Sequence, residues 1–331
     1  MNNKLLPAAR AALLGLAVGD ALGVPVEFAP RAARQKDPVT SMRAFGTHHQ
    51  PAGTWSDDSS LTFCLAETLA RPAGLSGQPD LADFARRSIN WLNYSYWTAT
   101  NQTFDVGNAT RVAIDRLQRG VEPTTAGPRS ESDNGNGALM RILPLVFHET
   151  WRAESLDLDA AYALTEAVAS VTHGHPRSIL GCFLYLLVAR GLLVGRSPTD
   201  AYAQMRRTAT PWLQNGSIPA VVENRYYQRW VLSGELLNQP ESEISSTGYV
   251  VHTLEAALWC LLQHSTYAAT VLAAVNLGDD TDTTGAVAGG LAGLAYGEAG
   301  IPNDWLAVLA RRADIEDLAQ RLAQVSNREP Q

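Results

Sequence analysis

Apolar residues along the chain recur mostly at helical spacing. Leu61, Cys64, Leu65 and Leu69 fall three and four residues apart, as do Leu254, Ala257, Leu258, Leu261 and Leu262, and that interval places them on one helix face. Ala, Leu, Gln, Glu and Arg dominate these segments. Clean alternation of β-branched and polar residues, the mark of a half-buried strand, is nearly absent. The pattern predicts an all-α protein with helices near 8–20, 57–70, 80–96, 107–119, 137–148, 156–172, 176–193, 198–206, 219–232, 248–263, 268–275, 283–297 and 303–324. Residues 29–55, rich in Pro, Gly, His and Thr, and 121–137, rich in Pro, Thr, Ser, Gly and Asn, read as loops, and residues 325–331 as a fraying end. No internal repeat or low-complexity tract interrupts the series.

Composition narrows the class. Of 331 residues 46% are apolar and 18% charged, which excludes a disordered chain. Thirty-three acidic against 26 basic side chains give a net charge of −7, which argues against a broad surface for nucleic acid or anionic membrane. Length alone suggests about two domains. Cys64, Cys182 and Cys260 stand singly in apolar runs, so neither a disulfide framework nor a cysteine zinc site forms; a reducing compartment, the cytoplasm, is expected. The run 11–18 after Lys4 and Arg10 superficially resembles a secretory signal, but Gly19-Asp20 stands where a small-residue cleavage site belongs. The longest apolar stretch, 179–194, is too short to span a bilayer and contains Arg190, so it reads as a buried helix.

The chemistry lies in two acidic, hydroxyl-rich steps, Ser56-Asp57-Asp58-Ser59 and Asp279-Asp280-Thr281-Asp282-Thr283, each just before an apolar helical run. One such step is explained by helix capping and the helix dipole. Two together supply more hard oxygen ligands than two caps need, and hard oxygens select Mg²⁺, Mn²⁺ or Ca²⁺. The second step begins like an EF-hand loop, but Leu291 stands where the bidentate Glu is required. A two-metal site joining both steps fits better. Gly285, Gly289, Gly293 and Gly297 recur every fourth residue and predict a smooth helix face against which another backbone can approach. Near the N-terminus, glycines and Pro25 turn the chain so that Glu27 leaves a helix end on a loop.

Taken in order, six segments resemble the ADP-ribosylglycohydrolase family: residues 15–23 with Pro25 and Glu27, 53–58, 104–108, 136–141 with Pro144, 172–175, and 276–283. The resemblance implies an all-α, single-domain orthogonal multi-helix bundle over residues 1–331 with a central binuclear site for two Mg²⁺ or Mn²⁺. It assigns metal ligation to Ser56, Asp57, Asp58, Asp280, Asp282 and Thr283, catalysis to Glu27, Asp58 and Asp105, and substrate contact to Gly107, Asn108, Asn136, Gly137 and His173. Asp279 stands where many members have Gly.

Read without the family, Asn136-Gly137 is a common turn dipeptide, Asp105 a helix cap, and His173 a structural histidine. The implied activity is removal of ADP-ribose from a modified protein, with ADP-ribose as product and neither nucleic acid nor membrane as partner. Segment 104–108 resembles the arginine-directed members. O-linked ADP-ribose (serine, polymer or O-acetyl) is the alternative substrate, and a catalytically silent ADP-ribose binder the alternative role. Since the first and last motifs must meet at one metal site, one domain replaces the two that length suggests.

Overall fold

The computed structural model describes residues 5–71, 77–215 and 220–326. Among them no strand forms; extended pairing is confined to single bridges at Phe45–Gln50 and Gly135–Tyr249. The first half of the chain holds α1 (Leu5–Gly23), α2 (Arg31–Lys36), α3 (Asp57–Leu69), α4 (Leu81–Tyr94), α5 (Asn108–Gln118), α6 (Pro123–Ala126), α7 (Glu149–Arg152) and α8 (Leu158–Ala169). The second half holds α9 (Pro176–Leu193), α10 (Pro198–Asn215), α11 (Ala220–Tyr227), α12 (Val250–Gln263), α13 (Tyr267–Asn276), α14 (Thr281–Tyr296), α15 (Asn303–Val308) and α16 (Arg312–Ser326).

Glycine decides how the two central helices meet. A Cβ on Gly19 of α1 would lie 2.0 Å from the Gly285 carbonyl oxygen of α14, and one on Gly285 would lie 2.4 Å from the Gly19 oxygen. Gly15 and Gly289 oppose each other in the same way, and Gly293 faces Ala11. The pairs run in opposite chain directions, so α1 and α14 are antiparallel and in backbone contact. Glycine inside a helix costs about 1 kcal/mol relative to alanine; here it is the only residue small enough for the approach. Gly297 departs from the expected stripe. It caps the end of α14 at φ +73° with nothing within 4 Å of its would-be Cβ.

Around this pair lies one connected apolar core, to which α3, α9, α12, α13 and α16 contribute. The α1 region (Leu5–Val26) and α9 are long and apolar enough to cross a membrane, yet 78% and 83% of their most apolar windows are buried inside the protein. Arg190 of α9 donates to the carbonyls of Trp151 and Ala153 at 3.0 and 2.7 Å. The three cysteines are free and buried.

Several boundaries differ from the sequence pattern, each for a physical reason. Residues 137–148 form no α-helix: Pro144 lies in the stretch, and a 3-10 turn over Leu143–Phe147 replaces it. The predicted helix 303–324 breaks between α15 and α16, where Ala310 donates its N–H to Gly53 O at 3.0 Å and Arg311 adopts φ +52°. Helix α10 runs on past 206 through Pro211. Its last turns are held by Trp212, which packs on Tyr162 and Phe183 and donates to Asp159 at 2.8 Å. After α11 the predicted helix widens into a π-turn over Gln228–Leu232. The two predicted loops hold the short helices α2 and α6 and a 3-10 turn over Gly46–His48. Val325 and Ser326 still belong to α16; the rest of the expected fraying end, 327–331, lies outside the described residues.

Candidate metal centre

The antiparallel α1–α14 contact brings the C-terminal end of α1 to the N-terminus of α14. Gly23 packs directly on Asp282, where a Cβ would sit 2.3 Å from the Asp282 Cα, and Thr281 Oγ1 donates to Gly23 O at 2.9 Å. The N-terminus of α3 arrives at the same place, and Thr283 Oγ1 donates to Asp58 Oδ1 at 3.3 Å across 225 residues of sequence. Two helix N-termini, with their positive dipole ends, therefore converge on the carboxylates.

Asp20, to which sequence reasoning gave no role, organises the junction. Its carboxylate accepts from Ser56 N at 2.9 Å, Ser59 N at 3.0 Å and Ser59 Oγ at 2.6 Å, so a side chain of α1 caps α3. Complete burial pushes Asp20 up to about 7 despite these bonds. The available signal was that Asp20 is the one charge in an otherwise apolar run, which a buried helix must pair.

The remaining acids form linked groups. Oxygens of Asp20, Asp58 and Asp282 lie within 4.8 Å of one another, as do those of Glu27, Asp280 and Asp282, while Glu27 also joins His48 and Asp105 within the same distance. Burial first, then the neighbouring negative charges, push Asp57, Asp58 and Asp282 well above the usual carboxylate range. Burial likewise raises Asp105 and Asp280, the latter opposed by hydrogen bonds, and lifts Glu27 to about 7.

Three carboxylate oxygens here, Asp58 Oδ2, Asp280 Oδ1 and Asp282 Oδ2, are buried without any hydrogen-bond partner. A buried, unpaired carboxylate oxygen is expensive. Hard divalent cations are the partners such oxygens suit, and Ser56 and Thr283 add hydroxyls beside them. The donor set therefore fits a divalent-metal site. The capping explanation holds for the first step alone: Ser56 Oγ accepts from Asp58 N at 3.4 Å, whereas Asp280, at the N-cap of α14, makes no side-chain cap bond.

The other expected site residues take up distinct places. Asn136 is more than a turn residue: its Nδ2 donates to Asp280 Oδ2 at 2.7 Å and to Thr253 Oγ1 at 2.9 Å. Gly137 makes room for His173, whose Cε1 would lie 2.5 Å from a Cβ there. His173 is buried behind that turn, with Nδ1 2.9 Å from Thr172 Oγ1. Burial, with Arg141 nearby, lowers its pKa to about 3 and keeps the ring neutral. Asp105 stands half-buried at φ +50°. Gly107 and Asn108 are exposed at the start of α5, outside the carboxylate cluster.

Asp279 is exposed at φ +57°, with its backbone paired to Phe28 and Ala29; that φ is one glycine adopts without strain. His48, also missed, lies in the loop whose histidines stood out in composition alone, with no motif to give either a role. The EF-hand alternative ends here as well, because Leu291 is fully buried within α14.

Residues 1–331 match the family model for ADP-ribosylglycohydrolase. The chain is 33% identical to the ADP-ribosylarginine hydrolase Tri1 of Pseudomonas putida (strain GB-1), over 96% of this chain and 78% of that protein. It is 31% identical to the ADP-ribosyl-dinitrogen reductase glycohydrolase of Rhodospirillum rubrum, over 92% of this chain and 91% of that one. A solved structure described as an ADP-ribosylglycohydrolase-related protein complex superposes with a TM-score of 0.77 at 32% identity, covering 98% of this chain and 99% of that chain. With the whole chain matched and the six segments brought into one helical domain, the protein belongs to the ADP-ribosylglycohydrolase family.

Proposed function

We propose that the protein hydrolyses the N-glycosidic bond between ADP-ribose and an arginine side chain of a modified protein, with two divalent cations, Mg²⁺ or Mn²⁺, in the carboxylate cluster. ADP-ribosyl hydrolase activity is what the family and its relatives support. The arginine linkage rests on the resemblance of residues 104–108 and on the named activity of the Tri1 relative. The single observation that carries the metal reading is the trio of buried, partnerless oxygens on Asp58, Asp280 and Asp282.

In this reading Ser56, Asp57, Asp58, Asp280, Asp282 and Thr283 hold the cations, and Asn136 fixes the Asp280 carboxylate by its 2.7 Å bond. Bound there, the cations supply an anchor for ribose hydroxyls and a water of lowered pKa. Cleavage at an anomeric carbon passes through an oxocarbenium-like state. A water oxygen bonds to that carbon as the carbon–nitrogen bond breaks, and Glu27 accepts the water proton and passes it to the departing guanidine nitrogen. Asp105 holds the planar guanidinium, which a carboxylate matches well. Asp58, buried between the steps, stabilises the positive charge developing on the sugar. Gly107 and Asn108 border Asp105 along the chain, and Gly137 and His173 back the Asn136 turn against which the nucleotide lies. The buried free thiols suit the cytoplasm.

The test is release of free ADP-ribose from arginine-linked and serine-linked modified proteins, with Mg²⁺ or Mn²⁺ and then with chelator. Metal-dependent release from arginine is expected. Release from serine alone would move the substrate to the O-linked class, and no release from either would end the enzyme reading.

A further inference from the structure

We propose that His48 is a positioning residue that holds Glu27 in place between the buried acids and Asp105. Glu27 belongs to two groups, with Asp280 and Asp282 on one side and with His48 and Asp105 on the other, and so links the buried acids to the histidine. Glu27 is not among the residues assigned to the cations, so a donor from outside the cluster must hold its side chain between the two groups. His48 is the donor that meets it, Nε2–H to Oε2.

The ring is itself fixed. Phe104 and Phe28 flank it at centroid distances of 5.1 and 6.1 Å. Its loop is clamped onto the Glu27 segment: Thr47 Oγ1 donates to Glu27 O at 2.8 Å, and Gly46, at φ +56°, lies so close that a Cβ would be 1.9 Å from Pro25 O. On the other side Gln50 accepts from Thr100 Oγ1 at 3.2 Å and donates to Gln102 at 3.4 Å, tying the loop to the segment that carries Phe104 and Asp105. The neighbouring His49 is exposed. One of two adjacent histidines is thus built into the site through Glu27, while the other is free to change.

The inference rests on the hydrolase reading. Its test compares His48→Leu, which fills the space without a donor, with His48→Gln, which restores one, and with His49→Leu as control. Removing an orienting contact lowers kcat by about 10- to 100-fold, so His48→Leu is expected to lose that much kcat with KM and Mg²⁺ affinity little changed. His48→Gln is expected to recover most of the loss, and His49→Leu to match the parent.

An unimpaired His48→Leu, or a His48→Gln no better than His48→Leu, overturns the proposal. A parent protein that releases no ADP-ribose refutes the hydrolase reading instead. The positioning contact is then read without activity, in the Mg²⁺-loaded full chain by nitrogen NMR. A slowly exchanging His48 Nε2–H that disappears in Glu27→Ala supports it, and an identical signal in both proteins overturns it.

Discussion

The two ends of the α1–α14 pair are built on opposite terms. Along the glycine stripe, backbone meets backbone with would-be Cβ positions only 2.0–2.6 Å from the facing carbonyl oxygens, no charge is present, and close packing favours the contact. One turn further, at the C-terminal end of α1 and the N-terminus of α14, carboxylates crowd together, three oxygens lack partners and Asp105 and Asp279 stand at positive φ. The first region is stabilised by its own geometry; the second is unfavourable until something else binds. Stiffness next to strain is how a fold keeps such a cluster from relaxing away.

Disturbing the stripe has the largest expected effect. Gly19→Val inserts a branched side chain into the Gly285 backbone, which cannot yield. The expected loss is about 4 kcal/mol or more, seen as absence of a cooperative melt. Changing the cluster works the other way. Asp282→Asn removes one of several mutually repelling charges, so in chelator the variant melts higher than the parent, by roughly 2 °C for each 1 kcal/mol gained. Its stabilisation by Mn²⁺ and its release of ADP-ribose are lost. A lower melting point in chelator would show that the cluster is not under electrostatic stress.

Glu255 of α12 sharpens the contrast, since it is a buried carboxyl with no such companions. Burial lifts it to about 8 from 4.5, with Arg229 opposing. The folded chain therefore keeps its proton between the two values, so stability is full below the unfolded value and falls as pH rises through the interval. Glu255→Gln should be the more stable protein at pH 8.5 by on the order of 2 kcal/mol and equal to the parent near pH 4.5, by thermal melts with chelator throughout. The smallest effect belongs to Gly297→Ala. There the space is open and only the positive φ resists, at about 1 kcal/mol, against a much larger loss for Gly293→Ala, whose Cβ would lie 2.0 Å from Ala11 O.

Much of this was legible in sequence where the signal is local. Helix α9 was read at its observed bounds, because an apolar run behind Pro176 needs no tertiary information. The two acidic steps were visible because each concentrates oxygen donors at a helix start. What was not legible depends on distant partners. The break before Arg312 exists because Gly53 and Trp55 bind Ala310. The fourfold glycine period marked one helix face without naming α1 as its partner. Asp20 caps a helix 36 residues away, and His48 gains meaning only when its loop is folded onto Glu27.

The central claim is that the partnerless oxygens are cation ligands. Titration calorimetry of Mn²⁺ into the chelator-treated full chain addresses it directly. Two ions bound per chain, with binding abolished in Asp282→Asn, is the predicted result. No binding to the parent, or binding of equal stoichiometry and affinity in Asp282→Asn, would contradict it.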